Sequence, residues 1–218
     1  MTRIILVRHG QSISNAEQFW GGQKDFPLTE LGKAQAEVVA DAIRATEKVD
    51  VVYASDLERA YETGLAIAKR FDLPVIQDPN LREINTGRWT GTPIEGTKAK
   101  EPALMEKRKS DPVHFAFPEG ESFEDIYHRG RKAITAIAEK NEGKCVVIAS
   151  HGGILRTFET FVRYGTIEQI AIVSPPQNTA VSIYDYRDGV FTPIRYNWAD
   201  HLLSKIQTNR NPNEKELL

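Results

Sequence analysis

Two histidines and two arginines stand just beyond short apolar runs, where a buried element has no structural need of them. The run Ile4-Ile5-Leu6-Val7 leads into Arg8-His9-Gly10, with Asn15 shortly after. The run ending at Ala54 leads into Ser55-Asp56, with Arg59 close behind. The run centred on Val146-Val147-Ile148 leads into Ser150-His151-Gly152-Gly153. Arginine stays charged and presents a planar fork that matches phosphate oxygens bidentately. A neutral imidazole, with an unperturbed pKa of ~6.5, can act near neutral pH as a nucleophile or a proton carrier. A glycine after each histidine lets a ligand approach the backbone closely. Helix N-termini expected after Ser55 and at Gly152 add backbone N–H donors and a favourable dipole. The combination describes an anion site with a nucleophile in it.

The elements that must position these groups alternate between strand and helix, which predicts an α/β fold with a largely parallel central sheet in a three-layer α/β/α arrangement. Strands are expected over residues 3–7, 49–54 and 144–149. Thr29 reads as the N-cap of a helix over 30–45. Ser55 with Glu58, and Ser122 with Asp125, have the spacing of capping boxes. They open a helix that ends before Pro74 and another over 126–140, with Gly143 as its stop. A helix from Gly152 to about Tyr164 follows the third strand, and residues 180–186 and 190–196 read as a hairpin turning at Asp188-Gly189. In open α/β sheets ligands bind beyond the carboxyl ends of the strands, so the two histidines and two arginines are aimed at one place. Residues 89–121 are rich in Gly, Pro and Lys with weak periodicity, and read as a lid or insertion in a single domain spanning 1–218. The polar tail over 207–218 is expected to fray.

Composition narrows the partners. With 28 Lys and Arg against 30 Asp and Glu, the formal net charge of −2 offers no basic field for nucleic acid. No stretch reaches the ~20 apolar residues of a membrane span, and the leading apolar run is too short for a signal peptide. The lone Cys145 rules out an internal disulfide framework and fits a reducing, cytoplasmic compartment. It reads as core packing in a strand, not as a nucleophile. A metal site is not expected: there is no His-Glu-x-x-His helix and no close-spaced Cys/His set, and Arg8 would repel a cation beside His9. No cofactor is called for, and oligomeric state leaves no mark in the pattern.

Leu6-Val7-Arg8-His9-Gly10 resembles the defining motif of the histidine phosphatase superfamily, with its phosphoglycerate mutase-like fold. The resemblance continues at Asn15, at Pro27-Leu28-Thr29 before Gly32, and from Ser55-Asp56-Leu57-Glu58-Arg59-Ala60 through Thr63. It resumes at Leu81-Arg82-Glu83 with Gly87, Trp89 and Gly91, and at Ser150-His151-Gly152-Gly153. It implies that His9 becomes phosphorylated, that Arg8, Arg59 and His151 hold the phosphoryl oxygens, and that Asn15 is an auxiliary phosphate contact. Glu83 takes the place of the family's proton donor. Plainer readings exist: Arg59 could pair with Glu62 along its helix, and Glu83 could be a loop carboxylate paired with Arg82. His114, His128 and His201 fall in no matched motif and read as surface or satisfied core residues.

Within the family, the run Ile84-Asn85-Thr86-Gly87-Arg88-Trp89-Thr90-Gly91 looks like the phosphatase branch. The cofactor-dependent mutases typically carry Arg-His-Tyr-Gly after that glutamate and a longer, more basic insertion. The expectation is therefore a metal-independent phosphomonoesterase acting on small phosphorylated metabolites. A phosphoglycerate mutase-type phosphotransferase is the alternative, and a catalytically silent binding module a more distant one. In the lid, Lys98, Lys100, Lys107, Arg108 and Lys109 read mostly as a solvated face, and any that points inward would favour a second anionic group on the substrate. Trp20, Phe26, Phe115 and Phe117 are candidates for apolar lining or for core.

Overall fold

Strand β1 (Thr2–Arg8) opens the computed structural model, which describes residues 1–202. A one-turn helix α1 (Ile13–Ala16) and then α2 (Glu30–Thr46) follow, and β2 (Val51–Ala54), α3 (Glu58–Lys69) and a short β3 (Val75–Gln77) come next. Two short helices, α4 (Ile94–Lys100) and α5 (Pro102–Ser110), precede the long α6 (Phe123–Lys140). The chain then runs through β4 (Cys145–Ser150) and α7 (Gly152–Tyr164) into the hairpin β5 (Val181–Arg187) and β6 (Val190–Trp198).

The strand order is β3-β2-β4-β1-β5-β6. The first four strands are mutually parallel, while β5 pairs antiparallel with β1 and β6 with β5. The central strands carry apolar side chains on both faces because helices cover both. Ile4, Leu6, Val146 and Ile148 face α6 and α7, packing on Ile134, Ile137, Leu155 and Phe158. Their sequence neighbours Ile5, Val7 and Val147 face α2 and α3, packing on Val39, Ile43 and Ile67. Three layers, α/β/α, result.

The predicted caps at Thr29 and Ser122 form: Thr29 accepts from the Gly32 amide at 3.0 Å, and Ser122 and Asp125 cap each other reciprocally. One local expectation is corrected, and two features had no legible pattern. Ser55 and Glu58 make no capping box. The helix starts two residues later, with Leu57 as N-cap, and Asp25 from a distant loop accepts from the Glu58 amide at 2.8 Å. β3 was not legible, because three residues give no pattern and this strand exists only through its pairing of Val52 with Val75 and Ala54 with Gln77. Residues 89–121 contain the helices α4 and α5. Their periodicity is weak because the buried residue of α5 is an arginine, Arg108, and not an apolar stripe. Beneath them Trp20, Trp89, Phe115, Phe117 and Phe123 form an aromatic cluster. Among the described residues no helix is long and apolar enough to cross a membrane, and the tail over 207–218 lies outside them.

Candidate functional site

β1 and β4 are adjacent and parallel, with Arg8 opposite Ser150 in the register. The next residue of each strand is therefore a histidine at the carboxyl end of the sheet. The His9 amide donates to the Ser150 carbonyl at 2.9 Å, and the two imidazole centroids stand 5.1 Å apart, edge to face. Both rings are buried.

His9 Nδ1 lies 2.6 Å from the Gly10 carbonyl oxygen, a partner that can only accept, so Nδ1 carries the proton. Nε2 is left with its lone pair. Burial, then the charges of Arg59 and Arg8, hold the imidazole well below its ordinary pKa of 6.5. Gly10 permits a close approach of this loop to α2: a Cβ there would collide with the Gly32 carbonyl. The Gly10 amide donates to Thr63 Oγ1 at 3.1 Å, tying the histidine loop to α3.

Three groups surround His9. Arg59 is buried on the first turn of α3, and Nη1 and Nη2 donate to the Lys24 and Gly22 carbonyls at 2.9 and 2.8 Å. The expected alternative, a pair with Glu62, is not what holds it. Burial lowers its pKa to about 10, so it is cationic at neutral pH. Arg8 is fixed through Nη1, which donates to the Pro176 carbonyl at 2.6 Å. Asn15 Oδ1 accepts from Ser12 N, Ser12 Oγ and Asn178 Nδ2 at 3.1 to 3.2 Å, so its amide nitrogen is the end left to donate to a ligand.

Glu83 is not paired with Arg82, which forks instead onto Asp56. Its Oε1 accepts from the Ile84 amide at 2.9 Å and the Gly153 amide at 3.1 Å. Glycine at 153 is needed for that contact, since a Cβ there would run into Oε1. The start of α7 thus serves the carboxylate. Gly152, its first residue, and His151 are not among the residues lining the cavity. The His151 ring stands edge-on to that of His9, and among the described residues neither of its ring nitrogens has a hydrogen-bond partner. Burial and the nearby Arg59 push its pKa well below 6.5 as well.

Arg8, His9, Asn15, Arg59 and Glu83 all line one cleft. Its far wall is Trp20, Phe117, Phe123 and Arg108, whereas Phe26 and Phe115 are packed elsewhere. Of the basic residues in the lid, Arg108 alone is buried, its guanidinium 5.2 Å from the Trp20 ring centroid and 5.8 Å from that of Phe117. Burial brings its pKa down to about 10, leaving it charged at neutral pH. Asn178, whose Nδ2 donates to the His9 carbonyl at 3.0 Å, was not foreseen, because it lies 169 residues away in sequence with no local signal. His114 and His128 are exposed and do not line the cleft, and His201 is half-buried near Thr179. Burial raises the Cys145 thiol to about 12, as suits a packing residue. Among the described residues no three or more His, Cys, Asp or Glu side chains converge as a metal site would require.

A pH dependence follows. A lowered pKa means His9 is unprotonated at pH 6.5, where a free histidine would be half charged. An NMR titration of the His9 ring should therefore show its midpoint below 6.5. In Arg59→Met the removed positive charge should move that midpoint upward. A midpoint at or above 6.5 in the native protein, or a downward move in the variant, would contradict this electrostatic account.

The profile of the histidine phosphatase superfamily (branch 1) matches residues 4–199. The chain is 35% identical over 208 residues to the metal-independent phosphoserine phosphatase of Arabidopsis thaliana, covering 94% of this chain and 84% of that protein. It is 32% identical over 199 residues to phosphoglycerate mutase-like protein 4 of the same plant, covering 90% and 84%. Among solved structures, the phosphoserine phosphatase of Entamoeba histolytica, a histidine-to-alanine mutant in complex with phosphoserine, superimposes with a TM-score of 0.81 at 27% identity, covering 93% of this chain and all of that one.

Proposed function

Because the chain belongs to the histidine phosphatase superfamily (branch 1), we propose that it hydrolyses small phosphomonoesters through a phosphohistidine formed on His9. The observation that carries this reading is the state of His9: buried, neutral, its Nδ1–H tied to the Gly10 carbonyl, and lying in one cleft with two arginines and a carboxylate. In the first step Nε2 bonds to phosphorus, and the bond to the ester oxygen breaks. Protonated Glu83 gives its proton to that oxygen, and the alcohol departs. In the second step water attacks the phosphohistidine, Glu83 takes its proton, and the P–N bond breaks to release phosphate. Arg8 and Arg59 balance the equatorial oxygens, Asn15 donates to one of them, and a ring N–H of His151, edge-on to His9, donates to another. Fixed positive charge of this kind does the work for which other phosphatases recruit a metal.

The substrate carries a second anionic group, a carboxylate, read by Arg108 from the aromatic wall. A relative that is named for phosphoserine is in keeping with this. Similarity to a protein named as mutase-like keeps transfer to a second hydroxyl as the other reading. Both are tested by phosphate release from phosphoserine and 3-phosphoglycerate, with excess chelator and without any bisphosphorylated primer. Release should proceed under those conditions. A primer-dependent interconversion of phosphoglycerates, much faster than release, would move the chain to the mutase reading. A charge-assisted hydrogen bond is worth about 1.5–3 kcal/mol, so Arg108→Met should lower kcat/KM for phosphoserine by about 10–10²-fold. Propyl phosphate, lacking the carboxylate, should lose less than about threefold. Equal losses on both esters would remove Arg108 from substrate recognition.

A further inference from the structure

We propose that Arg129, on α6, is a positioning residue that sets where the Glu83 carboxylate stands; the proposal rests on the reading of Glu83 as proton donor. Residues 82–86 belong to no helix or strand, so nothing periodic holds the acid in place. Their carbonyls still need donors. A single guanidinium supplies them. Arg129 Nη1 donates to the Asn80 and Arg82 carbonyls, each at 2.9 Å, and Nη2 to the Glu83 carbonyl at 3.3 Å.

The same fork closes on Glu121, with Nε to Oε1 at 3.0 Å and Nη2 to Oε2 at 2.9 Å. Glu121 in turn accepts from the Asn85 amide at 2.8 Å, and its own amide donates to the Asn85 carbonyl at 2.8 Å. The loop that carries Glu83 is therefore gripped on both sides of the acid, at residues 80–83 and at 85. Gln23 completes the grip by donating to the Glu83 carbonyl at 3.0 Å.

Arg129 works from the far side of the loop. It is absent from the walls of the catalytic cleft and lines a separate cleft with Tyr53, Asp78 and Asn80. Its hydrogen bonds reach the chemistry through the backbone of Glu83 and its neighbours, and its charge is the weakest of those that lower the His151 pKa. Lysine cannot reproduce it, because one ammonium cannot span three carbonyls and a carboxylate in fixed directions. Displacing a catalytic group by about 1 Å can cost ~10²-fold, which sets the size of effect to look for.

The test is rapid-quench measurement of the phosphorylation step with an alkyl phosphate and with 4-nitrophenyl phosphate, on the native chain, Arg129→Met, Arg129→Lys, Glu83→Gln and the Glu83→Gln/Arg129→Met double variant. Arg129→Met should slow phosphorylation by the alkyl ester about 10²-fold and by the nitrophenyl ester less than about threefold. Arg129→Lys should keep most of that defect, and supplies the same comparison where the methionine variant does not fold. In the Glu83→Gln background the further loss should be less than about threefold, since the group being positioned is already disabled. Equal losses on both esters, full rescue by lysine, or the same factor in the Glu83→Gln background would overturn the proposal while leaving Glu83 as donor. Absence of any leaving-group dependence in Glu83→Gln itself would bring down the donor reading, and this proposal with it.

Discussion

Replacing His9 by alanine is expected to abolish the phosphoenzyme and to lower turnover about 10⁴-fold or more, the scale on which a covalent nucleophile is lost. The reason is specific to the geometry. His9 Nε2 is the lone pair left once Nδ1–H is committed to the Gly10 carbonyl, and burial beside Arg59 and Arg8 keeps it unprotonated. Those arginines are anchored on backbone carbonyls, so the anion site should survive the substitution. Inorganic phosphate should therefore still bind the variant, which separates lost chemistry from lost structure. In the native chain, label trapped by rapid quench should be acid-labile and alkali-stable, as a phosphoramidate is and an acyl phosphate is not. Label persisting in His9→Ala, or mapping to a carboxylate, would end the phosphohistidine mechanism.

Glu83→Gln carries the second large effect, and its size should depend on the leaving group. An alkyl phosphate leaves as a strongly basic alkoxide, whereas nitrophenol leaves as a stable phenolate. General acid catalysis is worth ~10²–10⁴-fold, and the alkyl ester should lose about that much. With the nitrophenyl ester phosphorylation should be far less affected, while dephosphorylation slows, so a burst of nitrophenolate should appear. Packing does not account for such a pattern. Oε1 accepts from the Ile84 and Gly153 amides, Oε2 only shares the Gly153 donor, and a glutamine with its oxygen at the Oε1 position still serves both amides. A small and equal loss with both esters would reduce Glu83 to a structural carboxylate.

How much of the site was legible differs residue by residue. Arg8, His9 and Asn15 follow one strand within a few positions, so a short string of letters contains both the groups and the element that aims them. Arg59 was legible as a helix-start charge, but not its anchoring on Gly22 and Lys24, which come from another loop. The Ser55–Glu58 box failed for a related reason, since Asp25 took the amide that a local cap would have used. Arg108 could be named among five basic residues of the lid, yet nothing in their spacing distinguished the one that turns onto Trp20.

Strand and helix periodicity, the polar residues at strand ends and the glycines beside the histidines are local properties, and they determined the α/β/α sheet and the chemical character of its carboxyl edge. Three outcomes belong to the tertiary structure alone. The strand Val75–Gln77 exists because β2 offers an unpaired edge. The imidazoles of His9 and His151 stand 5.1 Å apart because β1 and β4, far apart in sequence, are neighbours in register. Glu83 meets the Gly153 amide, and Arg129 the carbonyls around Glu83, across separations of 70 and 46 residues. Short-range pattern reports what a segment can pair with on its own. A buried donor or acceptor is satisfied by whichever group the packed layers bring within hydrogen-bond distance, and that choice is made only when the layers close.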